Sequence, residues 1–382
     1  MRMDSRYRGL SALVAAGALA LGVAACGGSG GSSGSGGSGG SSGNSAAAAT
    51  GSGGNAPSFC GTKKIKVSLS DGNGADTWRR ITRKIAELEA AKCPNVTGFV
   101  YTDGQGNTQK AISDIQGLVA QGVNAMVIFP DAGKALLPAM RSAQKAGTTV
   151  VPYRSPPGGK AGVDYTDYVA TDSDQYGILW GNWLVKLLPN GGNVLYLGGP
   201  AGVQQSLDRL GGLKSVLDKH PNIKLIGQQP FNVTNWDPAK TQQVVTAALA
   251  KFPKIDAIAA DYGAAMDSAL PVFKQAGRKI PPIATEDSNQ LACDWQKLHK
   301  TNPDFQLYTN SSQNWMVRTA IQDAIAKAAG GTPPKSLSVK NATAEDSVSG
   351  QPKKPECDPS LPGDAILSSG LDATHLKEVF SK

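Results

Sequence analysis

Ala111-Ile112-Ser113-Asp114-Ile115-Gln116-Gly117-Leu118-Val119-Ala120-Gln121-Gly122-Val123-Asn124-Ala125-Met126-Val127-Ile128-Phe129-Pro130 decides the architecture. Ile112, Ile115, Leu118 and Val119 recur at helical spacing, which predicts a helix over Asn107–Gln121. Gly122 ends it. Ala125–Phe129 is then apolar at every position, as a strand is when both faces of its sheet are covered. A helix running straight into such a strand is half of a βαβ unit. Outward from it the alternation continues. Ile65–Leu69 and Gly98–Tyr101 read as strands around an amphipathic helix, Thr77–Lys92, that carries Trp78, Ile81, Ile85 and Leu88. Lys134–Ala146 reads as a helix and Thr148–Val151 as a strand.

The pattern then restarts. Strands are expected at Asn193–Leu197, Ile223–Ile226, Ala257–Ala260, Pro282–Thr285 and Gln306–Thr309. Helices are expected at Gln205–Lys219, from Asp237-Pro238 onward, at Gly263–Ala276 and at Asn314–Ala329. Asp237 supplies an N-cap and Pro238 a first-turn proline. The fold class is therefore α/β, with two Rossmann-like lobes, each a parallel sheet flanked by helices. The expected division is 59–170 plus 310–331 for the N-terminal lobe and 171–309 plus 332–382 for the C-terminal lobe. In the tail, Asp364–Leu367 is expected as a short strand and Ala373–Phe380 as a last helix.

Ahead of the lobes, Arg2, Arg6 and Arg8 precede an apolar run, Gly9–Leu21, that is too short to span a bilayer. The run ends in Val23-Ala24-Ala25-Cys26, which resembles the lipobox of bacterial lipoproteins. The resemblance implies a signal peptide over 1–25 and a diacylated Cys26 that anchors the chain to the outer face of the cell membrane. Residues 26–58 are nearly all Gly, Ser and Ala and form a flexible tether. The net charge of +8 is spread among acids rather than clustered, so no nucleic-acid partner is expected. Four further cysteines in an exported chain argue for two disulfides in one of three pairings; the sequence-local Cys60–Cys93 and Cys293–Cys357 is preferred. No Cys/His spacing suggests a metal, no cofactor is expected, and His220, His299 and His375 are scattered.

In open α/β sheets a ligand sits beyond the carboxyl ends of the strands. Those positions hold Asn73 and Trp78, Arg154, Arg209, Trp236, Asp261 and Tyr262, Glu286 and Asp287, and Asn310. Asp71 reads as a turn cap beside Gly72. Amides, carboxylates and guanidiniums engage adjacent hydroxyls in pairs, and aromatic faces cover the C–H face of a sugar ring. A polyhydroxylated ring is the ligand class that uses both.

The 111–130 stretch, Ala146–Val151, Asp172 with the helix after it, Arg209-Leu210-Gly211-Gly212-Leu213 and Trp236-Asp237 together resemble type I periplasmic sugar-binding proteins, the ribose- and galactose-binding-protein group that serves ABC importers. The resemblance covers about residues 63 to 330. It implies two lobes on a multi-strand hinge and stacking by Trp78 and Trp236. It further implies polar contacts from Asn73, Arg209, Asp261 or Tyr262, Glu286 or Asp287, and Thr309 or Asn310. One position departs: these sugar binders usually carry an aspartate after the fourth strand, where this chain has Arg154. Either the ligand is acidic or modified, or Arg154 pairs with a pocket acid such as Glu286 or Asp287.

The expected function is a monomeric, non-enzymatic, lipid-anchored solute-binding protein outside the cytoplasm. It captures a sugar-like ligand and docks on an ABC permease. A sensing receptor and an extracytoplasmic hydrolase are the alternatives; no Ser-His-Asp or G-x-S-x-G pattern supports the latter. Lobe crossings are expected near Ala170-Thr171, Asp287-Ser288 and Thr309-Asn310.

Overall fold

The computed structural model describes residues 56–381. The leader, the lipobox with Cys26, and the tether up to Asn55 lie outside the described residues. The first sheet joins β1 (Ile65–Asp71), β2 (Val96–Asp103), β3 (Ala125–Phe129), β4 (Thr149–Arg154) and β5 (Val169–Thr171). The second holds β6 (Gly192–Gly198), β7 (Ile223–Ile226), β8 (Asn232–Val233), β9 (Ala257–Ala260), β10 (Ile283–Glu286) and β11 (Leu307–Asn310). Two strands come from the tail: β12 (Ser338–Val339) extends the first sheet and β13 (Thr343–Asp346) the second. The orders are β12-β5-β4-β3-β1-β2 and β13-β11-β10-β9-β6-β7, with β8 paired to β6. The first sheet is parallel throughout, and β13 runs antiparallel to β11.

β3 feeds two cores, which is why it is apolar throughout. Ala125, Val127 and Phe129 of β3 face α1 (Thr77–Ala90) and α10 (Val317–Ala329). Met126 and Ile128 face α2 (Thr108–Ala120) and α3 (Leu137–Lys145). In the second lobe Val194 and Tyr196 of β6 face α4 (Ser173–Leu187) and α5 (Gln204–Leu217). Leu195 and Leu197 face the other layer, α6 (Pro238–Lys251), α8 (Leu270–Gln275) and α9 (Asn289–Leu298). The period of two in a strand sends alternate side chains to opposite faces, and each fully buried aliphatic side chain stabilises the fold by about 1.5–3 kcal/mol.

The helix expected over Gly263–Ala276 is broken into α7 (Gly263–Met266), a single 3-10 turn and α8. Pro271 explains the break, because it has no N–H to continue the ladder and is tolerated only in a first turn. α4 and α5 lie in backbone contact: a Cβ on Gly177 would fall 1.9 Å from the Arg209 carbonyl oxygen, and one on Gly212 1.9 Å from that of Asp174.

The chain passes from the first lobe to the second after β5 and returns after β11 through Ser311–Asn314. Asp287-Ser288, expected as a crossing, is none: β10 before it and α9 after it both belong to the second lobe. The tail 332–382, expected wholly with the second lobe, is shared. β12 joins the first sheet and β13 the second, and Cys357 bonds Cys293 in α9. Leu361, Ala365, Ile366 and Leu376 of α11 (Ala373–Phe380) then pack into the first-lobe core. Asp364–Leu367 forms no strand, because Ala365 and Ile366 are drawn into that core; a 3-10 turn, Leu367–Ser369, follows.

Both sequence-local disulfides form, Cys60–Cys93 and Cys293–Cys357. The first closes a 33-residue separation between the start of β1 and the end of α1. A Cys60→Ser/Cys93→Ser variant should lose about 2–4 kcal/mol in urea unfolding, through release of the unfolded chain. A pH-dependent contribution to stability comes from Glu345 on β13. Glu345 accepts from Thr309 Oγ1 at 3.0 Å and from the Glu356 N–H at 2.9 Å, and burial pushes its carboxyl up from 4.5 to about 7. The folded chain therefore holds this proton more tightly than the unfolded chain. The stabilisation is complete below about pH 4.5 and is lost as pH rises through 7. Glu345→Gln should flatten the fall in urea midpoint between about pH 5 and pH 8.

Candidate functional site

Strand ends from both sheets surround two adjoining cavities. The outer one, about 550 Å³, opens between the lobes and is lined by Asn73, Asp76, Arg80, Asn107, Trp236 and Tyr262, among others. Asp76, Asn107 and Asp237 on its wall are N-caps, each accepting a backbone N–H of its own helix. The ends of α1, α2 and α6 therefore converge on it, with their dipoles positive toward it. The inner chamber is about 40 Å³, and its wall includes Trp78, Phe129, Arg154, Gln205, Asp261 and Glu286. Asp76, Arg79, Trp236 and Tyr262 border both.

Glu286 closes the deep end. Arg154 from the first lobe donates to its Oε1 at 2.6 Å, and Arg209 from the second lobe donates to the same oxygen at 2.5 Å. All three side chains are at most 3% exposed. Burial pushes Glu286 upward against the pull of the two arginines. Burial also works against the charge on Arg209, but Glu286 and Asp261 outweigh it and hold its pKa above the ordinary value. Arg154 also donates to the Ser312 carbonyl at 2.7 Å, and its guanidinium lies 4.9 Å from the Trp78 ring centre. Its backbone is left-handed, φ 63°, a conformation that costs energy in a residue with a Cβ and marks a built site. Of the two pocket acids the sequence offers as partners for Arg154, Glu286 takes it and Asp287 does not.

A second cluster holds Arg79. It donates to Asp71 at 2.8 Å and to Asp131 at 2.8 Å, lies 4.0 Å from Asp76, and covers the Phe129 ring at 3.5 Å. Burial raises Asp71 to about 6 and raises Asp76 and Asp131 as well. Asp71, read from sequence as a turn cap, is instead a counter-ion to Arg79 and also accepts from Tyr101 at 3.0 Å. In the second lobe Asp261 accepts from Tyr196 at 2.7 Å and from Ser206, and the Trp236 indole N–H approaches it at 3.4 Å. Asn235 and Trp236 are both left-handed (φ 56° and 57°), which lays the indole over Gly199, where a Cβ would meet the ring at 2.2 Å.

Six of the residues expected from sequence therefore border the inner chamber: Trp78, Arg154, Trp236, Asp261, Tyr262 and Glu286. Asn73 borders the outer cavity. Arg209 stands behind the chamber as the support of Glu286 and Asp261. Asp287 does not face it. It accepts from Ser312 and Ser368 and ties the returning crossing to the tail. Asn310 is buried in β11 and lines neither cavity. Sequence reasoning missed Asp76, Arg79, Phe129, Asp131 and Gln205. Asp131 follows β3 directly, so the strand-end rule reaches it. Arg79 and Gln205 lie inside helices and carry no such signal. No histidine lines either cavity. No group of acids, histidines and cysteines among the described residues has the arrangement of a metal site.

Residues 67–332 match the periplasmic binding protein domain family. The chain belongs to this family, and its two-sheet architecture is that of the type I sugar-binding proteins. The xylitol-binding protein of Mycolicibacterium smegmatis is 25% identical over 279 residues, covering 73% of this chain and 70% of that protein. The D-xylose-binding periplasmic protein of Escherichia coli is 29% identical over 223 residues, covering 56% of this chain and 64% of the relative. The Caulobacter myo-inositol binding protein, solved with myo-inositol bound, shares the fold with a TM-score of 0.64 at 23% identity, covering 74% of this chain and 93% of that one.

Glu286→Gln should leave buried Arg154 without a carboxylate and Arg209 with Asp261 alone. A loss of about 3–5 kcal/mol in urea unfolding is the expected cost of breaking such a buried pair on one side.

Proposed function

We infer that the protein is an extracytoplasmic receptor that captures an uncharged sugar or polyol between its lobes and delivers it to an ABC importer. One observation carries the ligand class: the chamber presents unmatched acceptors between flat rings while its cations are already paired. Among the described residues, Gln205 Oε1 is buried on the chamber wall with no partner, and no protein donor engages Glu286 Oε2. A buried acceptor without a donor costs free energy that a ligand hydroxyl would recover. Trp236 and Tyr262, which border both cavities, supply the aromatic faces for sugar C–H groups.

The charge balance argues against an acid. Arg79, Arg154 and Arg209 are matched by Asp71, Asp76, Asp131, Asp261 and Glu286, so carboxylates outnumber guanidiniums around the chamber. An anionic group entering the inner chamber would meet that excess, and among the described residues each arginine beside it already holds a carboxylate. Delivery rests on the family and on the relatives, whose names give xylitol and D-xylose as their ligands. The Cys26 lipobox and the Gly/Ser tether support anchoring of the receptor at the membrane, where two acyl chains give a stable hold. Closing the lobes would exclude water and strengthen every polar contact inside.

A thermal-shift screen should show uncharged pentoses, pentitols, hexoses or inositols raising the melting point, with the matching uronic acids doing so less or not at all. Trp236→Ala should abolish the shift. Stabilisation by uronic acids or amino acids alone would overturn this reading.

A further inference from the structure

The inner chamber has room for about one water-sized group. Arg154, seated on Trp78 and bonded to Glu286, and Arg79, laid over Phe129, take up much of its wall. A sugar ring does not fit there; only a hydroxyl edge does. The body of any ligand is pushed outward against Trp236 and Tyr262. The outer cavity it enters measures about 550 Å³, in the range of about 300–1,000 Å³ that drug-sized ligands occupy. One monosaccharide fills a fraction of it.

Part of that cavity's wall comes from beyond the family-matched region, which ends at residue 332. Asp364 lines the cavity from the tail. Its carboxylate accepts from Thr77 Oγ1 and lies 3.6 Å from Arg80, yet the side chain keeps 44% of its surface exposed. The tail is fixed in place on both sides of Asp364. Cys357 bonds Cys293, and Asn289 grips the Asp358 amide and carbonyl at 2.8 Å each. The Asn289 and Gln290 N–H groups donate to the Ala365 and Gly363 carbonyls at 2.9 and 2.7 Å. Ala365 and Ile366 are sunk in the first-lobe core. A carboxylate held so firmly at a cavity wall is a preorganised acceptor for ligand hydroxyls. Asn107 also lines this cavity; its side-chain oxygen caps α2, and among the described residues its amide N–H₂ has no protein partner.

We propose that the tail builds a second ligand subsite in the outer cavity, with Asp364 and Asn107 as its polar contacts, and that the natural ligand is a disaccharide or a glycoside rather than a single sugar. The proposal rests on the sugar-binding reading above. One unit lies against Trp236 and Tyr262 with a hydroxyl edge in the inner chamber, and the second unit lies between Asp364 and Asn107.

Isothermal titration of the mature protein tests this with xylose, xylitol, ribose, glucose and myo-inositol against xylobiose, maltose, cellobiose and the phenyl glycosides of the single sugars. At least one two-unit ligand should bind about tenfold or more tighter than its single unit. Asp364→Asn should weaken that ligand by about tenfold, the worth of one hydrogen bond to a charged group, and leave the single unit within about twofold. Asn107→Asp keeps the α2 cap, removes the amide donors and should show the same split. Equal weakening of single and two-unit ligands, or single sugars binding tighter than every two-unit ligand, would overturn the subsite and leave the receptor reading intact. Failure of every carbohydrate to bind the unmodified protein would overturn both.

Discussion

The shared carboxylate of Glu286 is the constraint on which the site depends. It takes one arginine from each lobe on a single oxygen, so it fixes Arg154 and Arg209 relative to one another across the cleft. Two like charges are brought together in a buried place only because a carboxylate stands between them. Arg209 passes the constraint on to Asp261, which orders Tyr196, Ser206 and the edge of Trp236. Arg154 passes it to Ser312 in the returning crossing. One carboxylate thus couples the chamber floor, the aromatic wall and the hinge. The helices make this possible, since glycine contacts between α4 and α5 bring Arg209 close enough to reach it.

The hinge itself is a polar seam. Ser312 accepts from Trp78 and Arg154 of the first lobe and donates to Asp287 of the second. Thr171 on the outgoing crossing donates to Gln313, and Gln313 donates in turn to the Lys340 carbonyl on the tail. Asp287 then binds Ser368 farther along the tail. Successive crossings are therefore laced to each other and not only to the lobes. Such lacing permits rotation about the seam while opposing separation of the lobes. Asp287 is a ligand candidate by its position after β10, and its burial within this seam is what removes it from the cleft.

What was legible in the sequence follows from physics that is local. The apolar run Ala125–Phe129 must be a doubly covered strand because each neighbour faces a different core. Asp237-Pro238 must open a helix. The strand-end rule finds Arg154, Asp261 and Glu286 because topology alone puts carboxyl ends at the cleft. What escaped depends on contacts distant in sequence. Arg79 sits inside a helix, and only the approach of Asp71 and Asp131 from two strands makes it part of the site. The tail carries no periodic signal that says which sheet its short strands join; β12 and β13 are assigned by neighbours far away in the chain. Asp364 becomes a wall residue through the same long-range packing.

The departure at Arg154 connects these points. A guanidinium placed after the fourth strand needs a counter-ion, and Glu286 supplies it from the opposite lobe. Once paired there, Arg154 no longer offers a free charge to a ligand and instead fills the floor of the cleft. The same residue that suggests an acidic ligand by sequence therefore acts in the structure as a paired group that fills the chamber floor. Beyond that floor lies the outer cavity, where the tail supplies part of the wall through Asp364. The electrostatic pairing at the bottom of the cleft and the disulfide-held tail at its rim are in this way two ends of one arrangement that lines the cleft from both lobes and from the tail.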